Sequence, residues 1–148
     1  MEPVATGIVK EIQARFEEIR EIAAVTEKVN QGLVLDEVLD QLYDSFHSII
    51  PYDRIGVALL EDDDRRVRAR WARSSAARLQ IDAGYSAPLA GSSLQTILET
   101  GQPRILNDLE AYLEEHPSSE PTRRIVAEGM RSSLTCPLVA MGRGIGFI

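Results

Sequence analysis

The sequence predicts an α+β fold: an antiparallel sheet with long N-terminal helices on one face and short helices and loops covering a pocket on the other. Three observations carry this. The chain opens with two runs of helical apolar spacing, residues 66–71 alternate charged and apolar side chains at the period of a strand, and residues 131–148 read as a β-hairpin.

A chain of 148 residues suffices for one domain with a real core. Its 44% hydrophobic and 26% charged content is ordinary for a water-soluble fold. A net charge of −7 argues against general binding to nucleic acid or an anionic membrane, both of which need a positive field. No apolar run approaches the length of a membrane span, and Met1-Glu2-Pro3 lacks the basic start of a signal peptide, so a cytoplasmic location is expected. Cys136 is the single cysteine, which excludes an internal disulfide and any multi-cysteine zinc site.

From Thr6 the apolar residues Ile8, Ile12, Ile19, Ile22 and Val29 fall at spacings of three, four and seven. They predict a helix of about twenty-five residues with an imperfect heptad stripe, which Arg15 interrupts. Residues 1–31 are therefore read as a dimerisation and signalling helix, pairing through Ile8, Ile12, Ile19 and Ile22, and residues 32–148 as the main domain. Asn30-Gln31-Gly32 breaks the helix, and Asp36 reads as the N-cap of the next one. Val38, Leu39, Leu42, Tyr43, Phe46, Ile49 and Ile50 give that second helix a wide apolar face, ended by Pro51. His47 falls on its polar side as a surface residue.

Residues 54–60 are apolar on both faces, as a central strand is, and Glu61-Asp62-Asp63-Asp64 is a polar turn lacking the glycine and terminal glutamate of a calcium loop. In the next strand Val67, Ala69 and Trp71 share one face, and Arg66, Arg68 and Arg70 the other. Residues 73–88 read as an irregular edge strand and loop. Ser92 with Gln95 fits a capping box for a short helix through Leu94, Ile97 and Leu98, which Thr100-Gly101 closes. Residues 104–106 are extended, and Asn107 or Asp108 caps a helix to Glu115. His116-Pro117-Ser118-Ser119 is a break, and a last helix over residues 121–128 closes at Gly129. The hairpin then pairs residues 134–139 with 145–148 around Met141-Gly142-Arg143-Gly144, where Gly142 and Gly144 supply positive φ. Cys136 reads as a buried strand residue.

From Leu35 to Ile148 the sequence resembles a GAF domain, the small-molecule sensor module of bacterial signalling proteins. The resemblance rests on the order and spacing of several pieces. Leu35-Asp36-Glu37-Val38-Leu39 opens the helix, and Ile50-Pro51-Tyr52-Asp53-Arg54-Ile55 enters the first strand. Gly91-Ser92-Ser93-Leu94, Thr100-Gly101-Gln102-Pro103 and Asn107-Asp108-Leu109 follow. Met130-Arg131-Ser132-Ser133-Leu134, Cys136-Pro137-Leu138 and Gly144-Ile145-Gly146-Phe147 complete it. The resemblance implies a ligand cavity between the sheet and the middle helices, and a parallel homodimer through terminal helices. Ligand-binding positions carried over from it are Trp71, Tyr85, Asn107, Asp108, Leu109, Tyr112 and Thr135.

Departures from the family narrow the function. The spaced Asn-Lys, Phe and Asp-Glu set of cyclic-nucleotide-binding members has no counterpart, because Asp36-Glu37 lies upstream of the sheet. Cys136 is followed by proline and does not match the cysteine that carries bilins. The loop cysteines of methionine sulfoxide reductases with this fold are missing. His116, beside Pro117 at a helix break, reads as surface loop, with haem ligation the alternative, and the cofactor is unknown. The expected role is a regulatory sensor of an unidentified small molecule that transmits its state through dimerising helices. A dimerisation scaffold with a filled pocket is the alternative. Catalysis is expected only in a separate output domain. Family members continue past the final strand into a closing helix, so the chain is expected to be a fragment or a short variant. In such a chain Phe147 and Ile148 should lie against an apolar surface covered by the N-terminal helix of the same chain or a partner.

Overall fold

A computed structural model of the chain describes residues 2–30 and 35–148, with side chains 2–6, 8–9 and 24–30 outside the description. The chain forms two compact units, Met1–Leu39 and Asp40–Ile148. The division falls inside the helix Leu35–Phe46.

The first unit is dominated by α1 (Glu2–Asn30). Ile12, Phe16, Ile19 and Ile22 are 59%, 66%, 63% and 61% exposed. The side chains of Ile8 and Val29, also assigned to the stripe, lie outside the described residues, as does the Gln31-Gly32 break. The second helix, α2 (Leu35–Phe46), starts one residue before Asp36. Asp36 is therefore an acidic residue of the first turn, where it favours the positive end of the helix dipole, and not the cap. Its buried face is narrower than the apolar pattern implied. Leu39 and Tyr43 are buried, whereas Val38, Phe46, Ile49 and Ile50 are exposed. Both isoleucines lie beyond the end of the helix, where the helical period no longer aims them inward. His47 is exposed, as expected.

The second unit is built on a five-stranded antiparallel sheet of order β3-β2-β1-β7-β6. Its strands are β1 (Arg54–Glu61), β2 (Arg66–Ser74), β3 (Ser86–Pro88), β6 (Pro137–Ala140) and β7 (Arg143–Phe147). The apolar β1 is central, as its sequence predicts. The alternation of β2 is also realised: Val67, Ala69 and Trp71 are buried, while Arg68 and Arg70 are exposed. A bulge modifies the β1–β2 register, so that Val57 opposes Trp71, Ala58 opposes Ala69, and Arg70 has no opposite residue. Ala58 and Ala69 thereby stay on the α3 face, whereas Val57 and Trp71 turn to the opposite one, where the Trp71 ring packs on Tyr43 of α2 with 6.5 Å between centroids. Val67, Leu89, Ile97 and Phe147 form the core, flanked by Ala58, Leu60, Leu94 and Leu98. Ile97, Leu94 and Leu98 come from α3 (Ser93–Thr100), which Gly101 closes in the left-handed conformation at φ 68°. Phe147 is thus buried within this unit, packed with Val67, Leu89 and Ile97.

Three local expectations are corrected. Ser92 stands at the N-cap of α3 but forms no capping box. Its hydroxyl donates to the Leu89 carbonyl at 2.6 Å, and the Gln95 side chain turns to Glu99 at 3.0 Å. Residues 134–139 are not one strand. β5 (Ser133–Thr135) pairs with β4 (Arg104–Leu106) in a separate two-stranded sheet, and β6 pairs with β7. Cys136 sits at the join, half-buried, exchanging both backbone hydrogen bonds with Ile148. Finally, the hairpin turn is Met141-Gly142, with φ 51° and 75°, and its flanking residues Ala140 and Arg143 are paired. Gly144 and Gly146 are strand residues that permit close approach. A Cβ on Gly146 would meet the Ala58 carbonyl oxygen at 2.1 Å, and one on Gly144 would meet Leu98 Cδ2 at 2.8 Å.

Two further helices complete the unit: α4 (Leu109–Glu115) and α5 (Glu120–Ala127). The C-cap of α5 is Glu128, whose side chain is 0% exposed and pairs with Arg54 of β1, itself 13% exposed, at 2.8 Å. Its other oxygen accepts the backbone N–H groups of Gln80 (2.6 Å) and Ile81 (2.9 Å). Arg54 Nη2 donates to the Ile81 carbonyl at 2.6 Å. One carboxylate thus joins the central strand, the irregular loop and the end of α5. Glu128→Ala would leave Arg54 buried without its anion, and urea denaturation should show a loss of about 3–5 kcal/mol. A loss below about 1 kcal/mol would mean that this pair does not organise the unit.

Candidate functional site

The buried face of the sheet is not filled along its whole length. Beyond the α3 core, Val57, Ala58, Ala69 and Trp71 line a half-open cavity of about 790 Å³. Leu94 of α3, Arg104 and Leu106 of β4, Leu109 of α4, Ile125 of α5 and Thr135 of β5 also line it. This size and mainly apolar lining fall within the usual range of small-molecule sites.

The two-stranded sheet brings the polar groups to this cavity. Arg104 opposes Thr135 and Leu106 opposes Ser133, so these four residues share one face by strand alternation. Between them Ile105 opposes Leu134, and both are exposed. Arg104 Nη2 donates to Thr135 Oγ1 at 3.3 Å, and Arg104 Nη1 donates to Ser93 Oγ. Arg104 Nε and Ser133 Oγ are buried without a protein partner. Partial burial lowers the Arg104 pKa from its ordinary value, because desolvation disfavours the cation.

Of the seven positions named from the sequence, Trp71, Asn107, Leu109 and Thr135 come together in the cavity lining. Trp71 is 7% exposed and Leu109 is also buried. The other three stand elsewhere. Asp108 is exposed and caps α4, accepting the Ala111 N–H at 2.9 Å. Tyr112 lies behind the lining, its hydroxyl donating to Ser93 Oγ at 3.2 Å and its ring stacked on His116 at 4.2 Å. Tyr85 is outside the cavity beneath the Arg124 guanidinium, 4.8 Å from the ring centroid. Burial, followed by the charge of Glu120, raises its phenol pKa.

Sequence reading missed Arg104. Its signal was a lone cation between Pro103 and Ile105-Leu106, in an extended piece whose other residues are apolar. Among the described residues, no cluster of three or more His, Cys, Asp or Glu side chains could hold a metal ion. Nor, among them, is any helix long and apolar enough to cross a membrane.

The fold is found in known proteins. The family model for the GAF domain matches residues 33–148. The chain belongs to the GAF domain family. Its fold is similar to the GAF domain of a two-component sensor histidine kinase from Bacillus halodurans, with a TM-score of 0.63, 16% identity, and coverage of 78% of this chain and 74% of that one. It is similar also to residues 122 to 287 of a methyl-accepting chemotaxis protein, with a TM-score of 0.60, 22% identity, and coverage of 83% and 75%. A third is the phycoerythrobilin-bound GAF domain of a cyanobacterial phytochrome, with a TM-score of 0.58, 15% identity, and coverage of 84% and 74%. Among curated protein sequences none matches significantly.

Proposed function

We propose that this chain is a regulatory sensor whose cavity binds a small molecule and whose N-terminal helix passes the bound state to a partner copy. The observation that carries the proposal is the cavity itself: about 790 Å³ left open on the buried face of a sheet that otherwise packs tightly under α3. The similar folds come from a sensor kinase, a chemotaxis protein and a bilin-bound phytochrome domain, which supports a signalling role. The role is regulatory and not catalytic. Transmission requires that the ligand bind one arrangement of the helices better than another.

Trp71 is the chain's only tryptophan and borders the cavity with its ring packed on Tyr43, so its fluorescence is a probe of changes in the cavity wall. In a screen of soluble metabolites, a true ligand should shift Trp71 emission saturably and raise the melting temperature. At about one hundred times its Kd, binding adds about 2.7 kcal/mol to stability. Thr135→Tyr, which narrows the cavity, should abolish both effects while the protein remains folded. Equal responses in the parent and the narrowed variant would show that binding occurs elsewhere.

The exposed stripe of Ile12, Phe16 and Ile19 on α1 supports the dimer part of the proposal. Multi-angle light scattering at micromolar concentration should give twice the chain mass. Ile19→Asp should halve it without altering the far-ultraviolet circular dichroism of the remaining domain. A monomeric parent would remove dimerisation from the account.

A further inference from the structure

Resting on that ligand-site reading, we propose that the cavity takes a small organic carboxylate with an apolar body, its carboxylate held by the Arg104 guanidinium.

The charges around the cavity single out Arg104. Arg54, also in the lining, is neutralised by Glu128 at 2.8 Å. Arg131 reaches Glu110 at 3.5 Å on the exposed rim. Arg104 has no carboxylate within ion-pair distance among the described residues. Its two hydrogen bonds go to the neutral hydroxyls of Ser93 and Thr135, which orient the guanidinium without compensating its charge. These use two of its five N–H donors, and Nε is buried with no protein partner. Its lowered pKa agrees with a cation held partly out of water. A desolvated charge without a counter-ion costs stability, and a bound anion would restore what is missing.

The remaining lining sets the rest of the ligand. Ala69, Leu94, Leu106, Leu109 and Ile125 offer apolar contact, so a bare inorganic anion would leave most of the cavity unmatched. One planar guanidinium with no second open cation suits a monoanionic carboxylate in a forked contact. A phosphate dianion would call for more positive charge than the wall supplies. Ser133, which shares the Thr135 face of β5, adds a hydroxyl without a protein partner. Asp53, the carboxylate of the lining, is exposed and accepts a hydrogen bond from Ser75 Oγ at 3.4 Å.

The test uses matched pairs on the unaltered chain: phenylacetate, indoleacetate and octanoate, each against its neutral amide. Trp71 fluorescence and saturation-transfer NMR read the binding. At least one carboxylate should bind about 10–100-fold more tightly than its amide, the range of a charge-assisted contact. Arg104→Met should erase that difference while leaving amide binding in place. Because the pairs are compared on the parent protein, the outcome does not depend on how well the variant folds. If amides and acids bind equally, the carboxylate inference falls and the ligand-site reading stands. If the preference survives in Arg104→Met, the anion is held elsewhere and the inference falls. If no member of either series binds, the carboxylate inference falls, and the ligand-site reading is decided by the metabolite screen.

Discussion

The buried carboxylate of Glu128 is the constraint on which the second unit depends. Taking such a group out of water costs several kcal/mol, and the cost is offset only when every lone pair finds a good partner. Here Arg54 supplies the charge and the backbone of Gln80 and Ile81 supplies two further donors. All of these partners are remote in sequence, so the pair can form only when β1, the loop and α5 are in place together. Ile81, Arg54 and Gly129, which immediately follows Glu128, all contribute to the cavity lining. The interaction that closes the fold therefore also sets one wall of the site.

The same sheet face serves two purposes along its length. Toward the start of β2, Val67 is sealed under α3 with Leu89, Ile97 and Phe147. Further along, Ala58 and Ala69 border the open space lined also by β4, α4 and β5, while the Trp71 ring beside it packs on Tyr43. The bulge at Arg70 marks this division: Ala58 and Ala69 share the face that packs on α3, whereas Val57 and Trp71 turn to the side of Tyr43. The packed end supplies stability, and the open end forgoes apolar burial that a filled core would gain. Arg104 adds to that cost, since a partly buried cation without a counter-ion is what stability alone would remove. Natural folds place such local violations of good packing at functional sites.

Features set by local chemistry were legible in the sequence. The period of β2, the apolar run of β1, glycine at 101 and 129, and the aspartate cap of α4 all follow from neighbouring residues. Their order made the family recognisable. What was not legible depended on long-range pairing. Glu128 looked like an ordinary helix end, because its partners lie 47 to 74 positions away. Gly144 looked like a turn residue and Gly146 like any strand residue, although a side chain and a backbone carbonyl packed from elsewhere require glycine at both. Residues 134–139 looked like one strand because periodicity cannot show that β5 pairs with β4 and β6 with β7. Arg104 was passed over for a related reason: β4 has three residues, too few to display a pattern, and its cavity-facing side is fixed only by pairing with β5. Tyr85 and Tyr112, chosen by position, are held away from the cavity by Arg124 and Ser93.

The central claim is that the open end of the sheet is a ligand site and not an imperfectly filled core. Chemical-shift mapping of an isotope-labelled chain against a library of small fragments tests it most directly. The account predicts that binding fragments perturb one contiguous set of resonances, centred on the Trp71 indole, the Leu109 methyls and the Thr135 amide. Perturbations scattered over the surface, or no binding by any fragment, would contradict it.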